Sequence, residues 1–195
     1  MKSRFISLVL MTLCSSVALA NCYDKKASTD SNYQRCSQEA LEGDSIAQYY
    51  MAQMYRKGDG VTKDDKEALR WYRKAAAQKN RLAQFNLGWM YDTGEGVEVN
   101  PEEAIAWYGE AAKQGDQYAP YNIGFLYYTG SGVTVDFAKA QFWFLVARLN
   151  GNPKVDRWLR KNVARMSDEQ KNQAIALFEA WKAEHLPVEL SEPTP

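Results

Sequence analysis

The chain has 195 residues, 25% of them charged and 46% hydrophobic, with 24 basic and 24 acidic side chains in balance. That length is enough for one domain with a real core, and the charge balance excludes a bulk electrostatic pull toward nucleic acid or an anionic membrane surface. The single histidine, His185, stands near the C-terminus. No Ser-His-Asp triad, Cys-His pair or histidine-based metal site can be built around it.

The first segment, MKSRFISLVLMTLCSSVALA, reads as a secretory signal peptide over residues 1–20. Lys2 and Arg4 form its charged start, an apolar run follows to Val17, and Ala18-Leu19-Ala20 supplies an A-x-A signal for cleavage after Ala20. Without Lys2 and Arg4 the basic residues fall to 22 against 24 acidic ones. No later segment is long and apolar enough to span a bilayer. Cys14 leaves with the leader. Cys22 and Cys36 remain, an even count in an exported chain, which predicts a disulfide. It would tether an N-terminal arm (residues 21–30) to the first helix and stabilise the fold by about 3 kcal/mol.

Beyond the arm the chain repeats with a period of 36. Ala47, Ala83 and Ala119 recur in one register with Tyr55, Tyr91 and Tyr127, with Trp71, Trp107 and Trp143, and with Ala75, Ala111 and Ala147. A fixed period in this range signals a solenoid. Each unit reads as two helices. The first is N-capped by Asp44, Asn80, Asp116 or Asn152, the last followed by Pro153 at the first helical position. The second starts at Asp64, Asn100 or Asp136. Between the helices lies a GxGV loop, whose first glycine (Gly58, Gly94, Gly130) ends a helix and whose second (Gly60, Gly96, Gly132) lets the chain fold back. The loops lack the GK[ST] of a phosphate loop and the third glycine of a dinucleotide fingerprint.

The repeats are placed at 47–82, 83–118 and 119–154, within a solenoid spanning 31–184. Residues 31–43 fit a partial leading repeat. Residues 153–184 form a C-terminal cap, in which a helix over Pro153–Met166 precedes a capping box, Ser167-Asp168-Glu169-Gln170, that opens a last helix through Ala183. Residues 185–195, Pro-rich and acidic, read as a disordered tail.

These residues carry a resemblance. The pattern A-x-x-x-[LIM]-[GA]-x-x-Y-x-x-G-x-G-V, followed by A-x-x-W-[YF]-x-x-A, resembles the Sel-one-like repeat, a relative of the tetratricopeptide repeat, and ALRWYRKAAAQKN and AIAWYGEAAKQGD are close matches. The resemblance implies an all-α right-handed superhelical solenoid of antiparallel helix pairs. It also implies a non-enzymatic adaptor or binding protein, with family members exported by bacteria for host interaction or as periplasmic immunity proteins against toxins. No cofactor, metal ion or nucleic-acid partner is expected. The competing class is a cell-envelope glycan binder or hydrolase, since aromatic residues also grip sugars.

Helical geometry separates core from binding face. Ala47, Met51, Met54 and Tyr55 share one side of a first helix, and Ala83, Leu87, Met90 and Tyr91 repeat it. The opposite side carries the candidate partner-binding residues Tyr50, Gln53, Asn86, Trp89, Asp92, Asn122, Phe125 and Tyr128. In helix-pair solenoids this side is concave. Tyr49, Phe85 and Tyr121 stand beside them and read equally as groove or as packing against the next repeat. Trp71, Trp107 and Trp143 recur with the period and read as structural. Charge is uneven: residues 47–82 carry nine basic and four acidic side chains, and residues 83–118 one basic and seven acidic. Such neighbours would orient a protein or peptide partner.

Overall fold

The computed structural model describes residues 22–186. The signal peptide expected at 1–20 and the tail beyond residue 186 lie outside the described residues. Among the described residues the chain is all-helical: α1 (Thr29–Leu41), α2 (Ser45–Lys57), α3 (Asp65–Ala77), α4 (Arg81–Thr93), α5 (Pro101–Lys113), α6 (Ala119–Thr129), α7 (Phe137–Leu149), α8 (Asp156–Val163) and α9 (Asp168–His185). α2 pairs with α3, α4 with α5 and α6 with α7, each pair packs on the next, and α9 closes back onto α7.

Local chemistry sets the helix ends. The side chains of Asp44 and Asn80 accept the backbone N–H of Ala47 and Ala83, and those of Asp64, Asn100 and Asp136 do the same for the second helices. Ser167 and Gln170 form the reciprocal capping box that opens α9. Cys22 and Cys36 are bonded and buried, with Cα atoms 5.0 Å apart, which pins the arm to α1.

Two first helices start later than the sequence pattern predicts. Asp116 accepts N–H bonds from both Tyr118 and Ala119 at 2.9 Å, and α6 begins only at Ala119. Pro120 has no N–H to give the Asp116 oxygen, the bond that Gln48 and Gln84 make to Asp44 and Asn80 at the start of α2 and α4, so the helix begins later. Asn152 likewise does not cap a helix at Pro153. Its side-chain Oδ1 accepts Lys154 N–H, its side-chain amide N–H donates to Gln117 O at 2.8 Å, and α8 begins at Asp156. α8 ends at Val163 rather than Met166. At the far end α9 runs two residues past Ala183, so His185 is helical and not part of the tail; its ring stacks on Trp181 with centroids 3.9 Å apart.

The core follows the 36-residue period. Tyr72, Tyr108 and Phe144 are fully buried, one per second helix, and each faces a small residue on its paired first helix, Ala52, Gly88 or Gly124. A Cβ at Gly88 would lie 2.7 Å from the Tyr108 ring, and one at Gly124 2.6 Å from the Phe144 ring. The missing side chain is what admits the aromatic ring between the helices.

Polar side chains join the repeats. Gln78 donates to Gly43 O and to Gln48 Oε1, each at 2.9 Å, while Gln48 donates to Ala40 O at 3.2 Å. One repeat later, Gln114 donates to Gln84 Oε1 at 2.6 Å and Gln84 to Ala76 O. Gln48 and Gln84 are buried, so these bonds satisfy groups that would otherwise be costly there. Pro120 occupies the third position of that series, and Asn150 instead donates to the backbone oxygens of Ala112 and Asp116.

The second glycine of each loop does more than turn the chain. Gly60, Gly96 and Gly132 hold φ of 74°, 72° and 73° and sit against Thr29, Asp65 and Pro101, the first residues of α1, α3 and α5. Any Cβ would collide with those turns. The loop of one repeat is therefore seated on the second helix of the repeat before it.

Candidate binding surface

Residues on the solvent-facing side of the first helices form columns at the same period. One column is Tyr50, Asn86, Asn122 and Trp158; the next is Gln53, Trp89, Phe125 and Lys161; a third holds Arg56, Asp92 and Tyr128. The period continues into α8 because Val155 and Leu159 are buried in the positions that Ala47 and Met51, Ala83 and Leu87, and Ala119 and Ile123 hold earlier.

Several predicted residues meet. Gln53 donates to Asn86 Oδ1 at 3.4 Å and to the Tyr49 hydroxyl at 3.2 Å, and it accepts from Arg56 at 3.3 Å. The Arg56 guanidinium lies over the Trp89 ring, 5.4 Å from its centroid. The Tyr108 hydroxyl donates to Asp92 at 3.5 Å and also meets the Asn122 side chain. Burial raises the Asp92 carboxyl above the usual carboxylate range, and burial followed by the Asp92 charge pushes the Tyr108 phenol up. Phe125 is 37% exposed, the most open aromatic of the set, and Tyr128 is half-buried.

The residues read two ways resolve toward the core. Tyr49, Phe85 and Tyr121 are half-buried against Tyr72, Tyr108 and Phe144, with ring centroids 6.1, 5.5 and 6.1 Å apart. Trp89 also packs against the main core, so it is less open than the sequence pattern implies. Trp71, Trp107 and Trp143 pack on the core as expected. On the other side of the molecule Trp107 and Trp143 also line, with Trp181, a shallow hollow of about 430 Å³.

The structure adds residues that sequence reading missed. At the N-terminal end Tyr23 from the arm stacks on Tyr50 at 4.9 Å and donates to Asp59. Tyr23, Lys25, Tyr50, Gln53 and Lys57 border a hollow of about 400 Å³. The disulfide holds that arm in place. At the C-terminal end Trp158 receives the edges of Phe125 at 5.2 Å and Tyr128 at 5.4 Å. Lys161 lies 5.1 Å from the Trp158 centroid, and Arg165 5.1 Å from that of Tyr128. The available signal for Trp158 and Lys161 was the period itself, carried one step past the last GxGV loop.

Comparison with known proteins bears on this arrangement. The chain is similar to a Sel1 repeat protein of Oxalobacter formigenes, with 29% identity and a TM-score of 0.67, over 83% of this chain and 66% of that one. It is also similar to c5321, a protective antigen present in uropathogenic Escherichia coli strains that displays an SLR fold, with 26% identity and a TM-score of 0.60, over 85% of this chain and 44% of that one. The chain thus spans less than two thirds of the length of either. Immunity protein Pa5087 of Pseudomonas aeruginosa aligns at 19% identity and a TM-score of 0.37, over 91% of this chain and 85% of that one, too loosely to carry a functional argument. No curated protein matches the chain in sequence. The Sel1 repeat matches three consecutive stretches, residues 45–80, 81–116 and 118–152, together more than half of the sequence. The chain belongs to the Sel1 repeat family.

Proposed function

We propose that this chain is an exported, non-enzymatic scaffold that binds a protein or peptide along the concave face formed by α2, α4, α6 and α8. The observation that carries this reading is the set of side-chain columns on that face. They mix rings, amides and charges on half-buried or exposed positions, whereas the inward columns hold alanine, methionine, leucine and isoleucine. Export is supported by the leader sequence and by the Cys22–Cys36 bond, which suits an oxidising compartment. No helix among the described residues is long and apolar enough to cross a membrane.

A narrower form of the proposal is an immunity-type inhibitor of a toxin acting in the periplasm, a role suggested by the family resemblance alone. The test is affinity capture from native envelope extracts with mass spectrometry, run in parallel with a Gln53→Ala, Phe125→Ala double variant. Gln53 is half-buried and Phe125 is exposed, so helix content should hold and the melting temperature should fall by only a few degrees. Capture of the partner should weaken about tenfold or more. Undiminished capture by the double variant would move the binding site elsewhere.

A further inference from the structure

The C-terminal end of the first-helix face differs in charge from the rest. Between Leu149 and Met166 five basic residues stand against one acid, Asp156. Arg157, Lys161 and Arg165 are exposed, and among the described residues none has a carboxylate within ion-pair distance. Neighbouring lysines behave differently: Lys139, Lys171 and Lys182 each pair with an acid one turn away on their own helix. Lys161 and Arg165 instead lie against a ring cluster whose centre is Trp158, with Phe125 open beside it.

The geometry points to an acidic protein segment with an aromatic or aliphatic anchor as the occupant of this end, its anchor on Phe125 and Trp158 and its carboxylates on Lys161 and Arg165. This assignment rests on the reading that the first-helix face is the binding face. Charge complementarity selects the occupant. Unpaired cations beside exposed rings favour carboxylates next to an apolar side chain, where hydrogen-bonded charge and ring contact are gained together. A polyanion laid along the whole face would meet Asp92 on α4. A short acidic segment confined to α6 and α8 avoids it.

The experiment is selection of a random-peptide library on the mature chain, followed by titration of the enriched peptides. The expected result is enrichment of Asp and Glu adjacent to Phe, Trp or Leu. A Lys161→Glu, Arg165→Glu variant should lose about tenfold or more in affinity for them while keeping its helix content. Enrichment of basic or uncharged peptides, no enrichment over the starting library, or tighter binding of an oligothymidylate strand would overturn the inference. If Phe125→Ala weakens the peptides but charge reversal does not, only this inference fails. If neither variant weakens them, the first-helix face itself is the wrong surface.

Discussion

The first two repeat junctions and the last one solve the same packing problem with different materials. Where α1 meets the α2–α3 pair, and where α2–α3 meets α4–α5, buried Gln48 and Gln84 receive Gln78 and Gln114 and complete bonds to backbone oxygens. At the third, Pro120 stands in place of the buried glutamine and Asn150 donates to the Ala112 and Asp116 oxygens instead; at the last, where α6–α7 meets α8, the contact is aromatic, with Tyr121 and Trp158 flanking Phe144 at centroid distances of 6.1 and 6.5 Å. Polar ladders need every partner in place, so they define the spacing of identical units. Ring clusters tolerate a changed neighbour, and they occur where the regular repeat gives way to the cap. The same rings spread outward to Phe125 and Tyr128. The end that abandons the ladder is thus the end with an open aromatic surface.

The largest effect that could break this contrast comes from Phe144→Ala. It removes the ring that fills the space above Gly124 and supports Tyr121 and Trp158, and it should cost about 3–5 kcal/mol in chemical denaturation. A loss below that of the polar variant described next would mean the aromatic junction is not the stronger one. Gln84→Ala should cost about 1–2 kcal/mol, because Ala76 O and the Gln114 amide lose their shared partner. In a Gln84/Gln114 double-mutant cycle, a coupling energy near zero would remove the ladder from the account.

How much of this was legible beforehand depends on what periodicity can report. Alanine, tyrosine and glycine columns identified the helix pairs and the loops, since those residue types are required by packing and backbone geometry at fixed intervals. Gln78, Gln114 and Asn150 recur at the same interval, yet a polar residue at a helix end looks the same whether it faces water or a neighbouring repeat. The site was half legible. Phe125 is exposed and Tyr128 half-buried at the positions the period assigns them, whereas Trp158 follows only when the period is carried past the last GxGV loop into the cap. Tyr23 lay in an arm with no periodic signal, positioned only by the disulfide and its own contacts.

The smallest predicted effect concerns the acidic loop of the second repeat. Burial, then the neighbouring Asp65 carboxylate, raise Glu95 above the usual range, with Arg56 and Lys63 opposing the shift. The folded carboxyl therefore holds its proton more tightly than it does in the unfolded chain. Its contribution to stability is greatest in acid and declines as pH rises from the ordinary glutamate value through the raised one. Glu95→Gln should remove that decline and gain less than about 1 kcal/mol at neutral pH. A thermal-stability profile against pH that keeps its slope in the variant would assign the decline to other groups.

The glycine seats carry a consequence for the length of the array. Thr29, Asp65 and Pro101 each receive a loop, and the next position in that series is Phe137. Its backbone oxygen is taken by the Asn162 amide at 2.8 Å, and the Arg165 guanidinium covers its ring at 4.4 Å. Counting of repeats ends there by occupancy: a side-chain plug fills the landing place that a fourth loop would need. An added unit would have to enter upstream of α8, between two seats that remain glycine-served, or else bring its own replacement for Asn162 and Arg165. The residue that stops the array and the cation proposed to greet a partner are then neighbours on one short segment, so lengthening the solenoid and altering its binding end are the same act.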